Sequence, residues 1–504
     1  MRGMKKTLSV FLALTISFGL FIPTLANPPA LNSTVITNVL IVDGSGRKSF
    51  RGSVRILDGR IIAIGSLRPK KNETVIDGGG KALAPGFIDI HNHSETGLLS
   101  EGTAATQVSQ GITTIAVGPD GGSPYPIGEY LRKLEGKVSP NVLAFIGHGE
   151  VREQVMGKDL KRQATSSETA KMVKLVEGAM LDGAFGLSSG LEYDAGFSAN
   201  TDEMVALARA AAVHGGIYMT HMRDEEEGML SALKEAIEIG KRAGLPVQIS
   251  HIKMGNRNVW GQSKEAIKLI EAARGSGADV TADEYPYTAW ASTITVLVPS
   301  RKHDDRGEVE KGIRNVGGAD KVLITSCAAH RDYEGKTLEQ IAKEQNMSAA
   351  EIYMQIVRDG GAGVVCNSMS EDDVVSFMAK PWVMISSDGG IGGRHPRGAG
   401  TFPRVLGRYV RGQKVIGLEE AVRKMSALPA KRLGLKDRGM IRVGYKADLV
   451  LIDPDTVIDN ATFTSPQVIS SGIESVWVGG IQVWDGKGVT KNTPGEIIRN
   501  GRSK

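Results

Sequence analysis

Residues 86–93 read Gly86-Phe87-Ile88-Asp89-Ile90-His91-Asn92-His93, and this octapeptide sets the frame for the rest of the chain. An apolar run of strand length ends abruptly in polar, chemically capable side chains. On a strand, His91 and His93 stand at i and i+2, so both imidazoles point to one face. The same pattern recurs in runs that start at Thr113 (TTIAVGPD), Asn141 (NVLAFIGHG), Ala184 (AFGLSSGLEY), Gly216 (GIYMTHMRD), Pro246 (PVQISHIKM), Asp279 (DVTADEYPY) and Trp382 (WVMISSDGG). Successive starts lie 27 to 43 residues apart until the last interval, which is 103. Amphipathic stretches at 201–214, 225–243 and 263–274 fill the gaps with apolar residues at helical spacing. Eight strands with crossover-length connections predict an α/β fold of the (β/α)8 TIM-like barrel type, with an open doubly wound sheet as the rival.

Outside this core the pattern changes to strand alternation. Residues 34–63 alternate around Asp58-Gly59, and residues 475–484 fold about Gly479-Gly480, both of which read as hairpins. The two β-rich ends are expected to meet as a small β-sandwich domain, 33–83 with 432–490. The barrel then occupies 84–294 and 379–431, with an insertion at 295–378 between strands seven and eight.

The first 26 residues read differently again. Arg2, Lys5 and Lys6 precede an apolar run from Leu8 to Ile22, followed by Thr24-Leu25-Ala26. Basic, apolar and small residues in that order predict a signal peptide and a secreted or periplasmic protein without stable membrane insertion after its removal. These residues hold three basic and no acidic side chains, so the formal net charge of +5 falls to +2 without them. With 5% aromatic residues and no basic stripe, nucleic-acid binding is not expected. Glycine is high, 63 of 504 residues, with no repeat period, which suits many tight turns. The two cysteines, Cys327 and Cys366, exclude a disulfide-built fold and leave one bridge or two buried thiols open. Oligomeric state is not legible.

The runs end in His91, His93, Asp120, His148, Glu192, His221, His251 with Lys253, Asp283 and Asp388. Barrel active sites form where strand C-termini converge. His221 and His251 are one βα unit apart, at equivalent ends of neighbouring strands. Histidine and carboxylate suit zinc. A lone strand-end histidine is more often structural, so His148, His214 and His330 carry no such weight, and Glu225, Glu226 and Glu227 read as the acidic start of a helix.

This constellation resembles the metal-dependent amidohydrolase superfamily. The strings HMRDE (221–225), SHIK (250–253) and HPRGAGTFPRVLG (395–407) look like its D-aminoacylase branch, the N-acyl-D-amino-acid deacylases. The resemblance spans roughly residues 35 to 485. It implies an enzyme that hydrolyses linear amides of small N-acyl amino acids with one or two divalent ions, zinc above all. His91 and His93 would hold one ion, His221 and His251 the other, and Asp388 would be general base and then acid and a further ligand. The branch bridges its metals with a cysteine where this chain has Asp120, so Asp120 is the first candidate bridge and Glu192 the second. Tyr193, Arg223, Lys253, Tyr285 and Arg397 would contact substrate, with Tyr287 or Ser292 less firmly placed. A dipeptidase or cyclic-amide hydrolase on the same core, and an inactive barrel acting as an interaction protein, remain as alternatives.

Overall fold

The protein, a computed structural model, is described here over residues 33–501; the expected signal peptide lies outside them. The fold is mixed α/β. Each of the eight runs forms a strand: β1 (Phe87–Asp89), β2 (Ile112–Val117), β3 (Asn141–Ala144, resuming after Phe145 as Ile146–Gly147), β4 (Gly186–Gly190), β5 (Ile217–His221), β6 (Val247–Ile249), β7 (Val280–Glu284) and β8 (Val383–Ile385). Each pairs in parallel with its successor. The order also returns to its start, because Asn92 just beyond β1 bridges Gly389 just beyond β8. Two hydrogen bonds fasten that seam, His93 N to Gly389 O (2.7 Å) and Asp388 N to His91 O (3.0 Å). The first and last strand ends, which carry two histidines and an aspartate, are thus held side by side.

Parallel strands covered on both faces read as continuous apolar runs, and β2, β4 and β5 are buried at every residue. The intervening helices present one apolar face each. Leu207, Ala208 and Ala211 of helix Thr201–Val213 are buried, as are Leu233, Ala236 and Ile239 of Met229–Ala243. The second of these starts four residues later than the sequence predicts, which frees Glu225 for another role.

The termini meet in one eight-stranded sheet with its own core of Ile36, Val39, Val54, Leu83, Leu449 and Trp477. Its hairpin turns sit where expected. Asp58 and Gly59 (φ 48° and 72°) and Gly479 and Gly480 (φ 53° and 76°) are all left-handed, as a two-residue type I′ turn requires. Strand Ala82–Pro85 pairs with Leu449–Ile452 and runs through Gly86 straight into β1, so the terminal sheet braces the strand that carries the histidine pair.

Two strands of the inserted segment, Gly363–Cys366 and Val322–Ser326, form an antiparallel sheet with Trp290–Thr293, which begins five residues before the expected start of the insertion and flanks Gly363–Cys366 on its other side. Trp290–Thr293 follows directly on the β7 loop, so the insertion forms one wall of the cleft above the strands. Cys327 and Cys366 are both buried free thiols. Among the described residues no helix is long and apolar enough to cross a membrane.

Candidate metal centre

The side chains that end the strands converge on one cavity of about 180 Å³. His93, Asp120, Glu192, His221, His251 and Asp388 line it, together with Tyr193, Glu225, Lys253, Tyr285, Ser292 and Arg397. His91 lies fully buried at its base. Asp120, His251 and Asp388 have left-handed backbones (φ 54°, 31° and 46°). Non-glycine residues avoid that region, and such strain collects where a site must aim a side chain. The Asp120 loop can make its turn because Gly121 follows: a Cβ there would lie 2.7 Å from Gly190 N of β4.

Two ligand-like groups emerge, each with its atoms within 4.8 Å of one another: His91, His93, Asp120 and Asp388 in the first, and Asp120, His221 and His251 in the second. Asp120 Oδ2 belongs to both. It lies 3.1 Å from His91 Nε2, 3.4 Å from His93 Nε2 and 3.4 Å from His251 Nε2. Asp388 Oδ1 lies 3.4 Å from His91 Nε2 and 3.2 Å from His93 Nε2, while its Oδ2 pairs with Arg397 at 2.8 Å. His221 Nδ1 faces His251 Nε2 at 2.9 Å. A third group, Glu192, His221 and Glu225, uses the same His221. There Glu192 Oε2 meets His221 Nε2 at 2.6 Å.

Burial opposes charge on His91, yet Asp120 and Asp388 outweigh it and hold the imidazole pKa well above its usual value. His93 is raised to about 10 and His251 to about 9, against burial, by the surrounding carboxylates. Asp120 and Asp388 are held well below the usual carboxylate range despite burial, Asp120 chiefly by His91 and His251 and Asp388 chiefly by Arg397 and His251. The carboxylates and imidazoles of the site are thus strongly coupled in charge across a buried space. Buried Asp120 Oδ1 has no hydrogen-bond partner, and two ring nitrogens face each other across 2.9 Å. Imidazole nitrogens and carboxylate oxygens so arranged fit a divalent cation of the zinc type. Among the four histidines His93 is the most exposed, with 39% of its side chain open.

Asp283, one residue before the end of β7, sits fully buried 3.4 Å from His91 Nδ1 and accepts hydrogen bonds from His251 N, Ser386 Oγ and Gln248 Nε2. It anchors the ligands rather than facing the cavity. Tyr193 Oη lies 3.1 Å from His221 Nδ1, and the Arg397 guanidinium stacks on Tyr285 at 4.6 Å.

Several expectations need correction. Arg223 does not reach the cavity: it pairs with Glu235 (2.8 Å) and donates to the carbonyls of Phe197 and Ala199. The i+2 argument fails there because β5 ends at His221 and the chain turns away. Tyr287 points instead to Pro396 O and Asp459, both at 3.4 Å, whereas Ser292 does line the cavity. Glu225 is not a solvated helix start. It is 3% exposed, forms an ion pair with Lys253, and places Oε1 3.1 Å from His251 Nδ1. Glu226 is also buried against the cavity, and only Glu227 is exposed, facing Lys311. Three consecutive glutamates ahead of an amphipathic stretch carry a helix-start composition, which masks Glu225 in the sequence. His148 binds Glu203 within a buried cluster that includes Arg152; His214 caps a helix C-terminus; His330 pairs with Asp359 in the insertion.

Against known proteins, residues 74–484 match the amidohydrolase family. The chain belongs to that family. This amidohydrolase is 36% identical over 484 residues to a D-aminoacylase of Alcaligenes xylosoxydans xylosoxydans, covering 91% of this chain and 96% of the relative. It is 34% identical to an N-acyl-D-aspartate deacylase from the same organism, with 95% and 97% covered. Its structure superposes on that of N-acyl-D-glutamate deacylase from Bordetella bronchiseptica, solved with zinc and a phosphonate mimic of the reaction's tetrahedral intermediate. The TM-score is 0.84 at 33% identity, with 93% and 99% covered. The protein is thus an amide hydrolase of a metal-dependent family.

Proposed function

We propose that this amidohydrolase deacylates N-acyl-D-amino acids at a zinc centre of one or two ions, on a (β/α)8 barrel flanked by a terminal β-sandwich. The observation that carries the reading is the convergence of four histidines, Asp120 and Asp388 beside Lys253 and Arg397 in one cavity. The names of the relatives and the zinc held by one of them support it. The cyclic strand order supports the barrel. The basic, apolar and small order of residues 1–26 supports export to the periplasm or medium.

In this reading His91 and His93 would hold one ion, His221 and His251 the other, and Asp120, which belongs to both ligand groups, could serve either. Such an ion polarises a carbonyl and lowers the pKa of a bound water. Asp388 supplies the proton traffic: Oδ1, on the histidine side, takes a proton from the attacking water and passes it to the departing amine nitrogen. Arg397 holds Oδ2, which fixes the carboxylate plane and keeps Asp388 ionised before the reaction. Tyr193 Oη, beside His221, is placed to donate to the oxyanion that forms at the carbonyl. Glu192 accepts from His221 Nε2–H, which leaves Nδ1 as the free ligand atom facing His251.

That role for Glu192 has a test. Glu192→Ala should weaken metal retention by about 10- to 100-fold, the usual effect of removing a carboxylate behind a ligating imidazole. Glu192→Gln keeps an acceptor oxygen at the same place and should retain most of the affinity, read by competition with a chromogenic chelator. Equal loss in both variants would make Glu192 a ligand instead.

Lys253 is assigned to the substrate carboxylate. It is 6% exposed, and its pKa is raised because Glu225 outweighs burial, so it stays charged. Losing a charge-assisted contact costs about 1.5–3 kcal/mol, or roughly ten- to a hundredfold in binding. Lys253→Met should raise KM for free-acid substrates by about that factor. It should affect an uncharged ester analogue much less and leave metal content unchanged. The reading as a whole is checked by a hydrolysis screen over paired N-acyl-D- and N-acyl-L-amino acids and dipeptides. Absence of turnover on every N-acyl-D-amino acid by metal-loaded protein would overturn it.

A further inference from the structure

A second and larger hollow, about 720 Å³, opens beside the metal cavity. The two spaces share His93, Asp120, Tyr193 and Ser292, so they are continuous and the ligand cluster stands at their junction. Their chemistry differs sharply. The smaller space holds Lys253 and Arg397, the cations suited to a free carboxylate, whereas no lysine or arginine lines the larger one. An amide placed at the junction with its carboxylate toward Lys253 has its acyl side turned away from the smaller space and toward the larger groove. An acetyl group would leave nearly all of that groove unfilled, since cavities of roughly 300–1,000 Å³ accommodate whole drug-sized ligands.

The walls say what kind of acyl group fits. Leu99, which is 51% exposed, together with Pro119, Pro124 and Tyr130, gives apolar surface. Glu150 and Glu153 stand three residues apart on helix His148–Met156, so they share one face, and both line the groove. Among the described residues no ion pair engages either of them; Glu150 accepts only from Gln154 on its own helix. Glu95 also lines the space, with Oε1 accepting from Gly118 N at 2.7 Å. Asp120, 8% exposed and with Oδ1 lacking a hydrogen-bond partner, lies at its inner end. Asp120 is taken up by the imidazoles and Glu95 by Gly118, so Glu150 and Glu153 are the carboxylates without a counter-cation, and such a pair favours a positively charged ligand group.

We infer that this groove is the acyl subsite, and that it selects a long, largely apolar acyl chain with a cationic distal end. The inference rests on the deacylase reading above, which fixes which end of the substrate faces Lys253. The chain's methylenes pack along Leu99, Pro119, Pro124 and Tyr130, and the terminal ammonium meets Glu150 and Glu153.

The test uses metal-loaded enzyme with N-acetyl-, N-hexanoyl- and N-(6-aminohexanoyl)-D-leucine. Hexanoyl should exceed acetyl in kcat/KM by about tenfold or more, because four added methylenes are buried. Aminohexanoyl should exceed hexanoyl by about threefold at low salt, the effect of a partly exposed ion pair. Glu150→Gln with Glu153→Gln should bring aminohexanoyl down to the hexanoyl level and leave hexanoyl unaffected. Gly122 offers a second variant. It lines the groove, and a Cβ added there meets no atom within 4 Å, so Gly122→Phe projects into the space without displacing backbone. Its loss on the two long substrates should exceed its loss on the acetyl one by about tenfold, the reverse of the methylene gain. The proposal is overturned if acetyl matches hexanoyl, if the ammonium gives no advantage, or if Gly122→Phe depresses all three equally. Should none of the three turn over, calorimetric binding of each to metal-loaded Asp388→Asn protein decides the matter. The same ranking in Kd keeps the groove while the deacylase reading falls, and equal or absent binding overturns the groove as well.

Discussion

Asp388→Asn is expected to lower kcat by about 10²- to 10⁴-fold, the range for loss of a positioned general acid–base group. The amide is nearly isosteric and can still meet Arg397, but it has no basic oxygen to take a proton from water. Asp388 sits 5% exposed with Oδ1 toward His91 and His93 and Oδ2 on Arg397, whereas Asp120, the other carboxylate beside those imidazoles, is taken up by the ligand groups. The second ligand group, Asp120 with His221 and His251, does not include Asp388. At least one metal equivalent should therefore survive the substitution, read by elemental analysis beside the rate. Unchanged kcat with metal still bound would remove Asp388 from the proton path.

Stripping the metal should have an even larger effect. Carbonyl polarisation and water activation together supply several kcal/mol, and each 1.36 kcal/mol is tenfold in rate, so chelation should lower turnover by about a thousandfold or more. Full activity after verified metal removal would sink the mechanism. Substitutions should sort by position: His221→Ala or His251→Ala should lower metal content more than His91→Ala. Asp120→Ala should reduce occupancy and rate together, since its Oδ2 lies within 3.4 Å of His91, His93 and His251. Asp120→Cys, which restores the ligand type of the D-aminoacylase branch, should recover part of the metal content.

Much of this was legible before any coordinates. Strand-end histidines are spaced by the βα repeat, and that repeat is a local property of hydrophobic periodicity. His91 and His93 reach the site together although β1 stops at Asp89, because the bridge between Asn92 and Gly389 and the two seam hydrogen bonds hold that stretch against the end of β8. The i and i+2 rule misplaced Arg223, because β5 stops at His221 and a side chain beyond a strand's end no longer follows the pleat. Glu225 was missed for a related reason. Three consecutive glutamates ahead of an amphipathic stretch carry a helix-start composition, yet the helix begins at Met229 and leaves Glu225 in the β5 loop, buried against Lys253 and His251.

The sequence by itself determined the order of the strands, the two hairpin turns and the identity of the metal-type side chains, since each depends on residues close together along the chain. Only the tertiary structure decided the remainder. It placed Asp120 in two ligand groups, set Glu192 on the far nitrogen of His221, and opened a groove between helix His148–Met156 and the inserted wall. Those relations join residues 27 to 268 positions apart in the chain, from His93 and Asp120 to Asp120 and Asp388. They follow from where strand ends meet when β1 and β8 close side by side, a distance that no local pattern encodes.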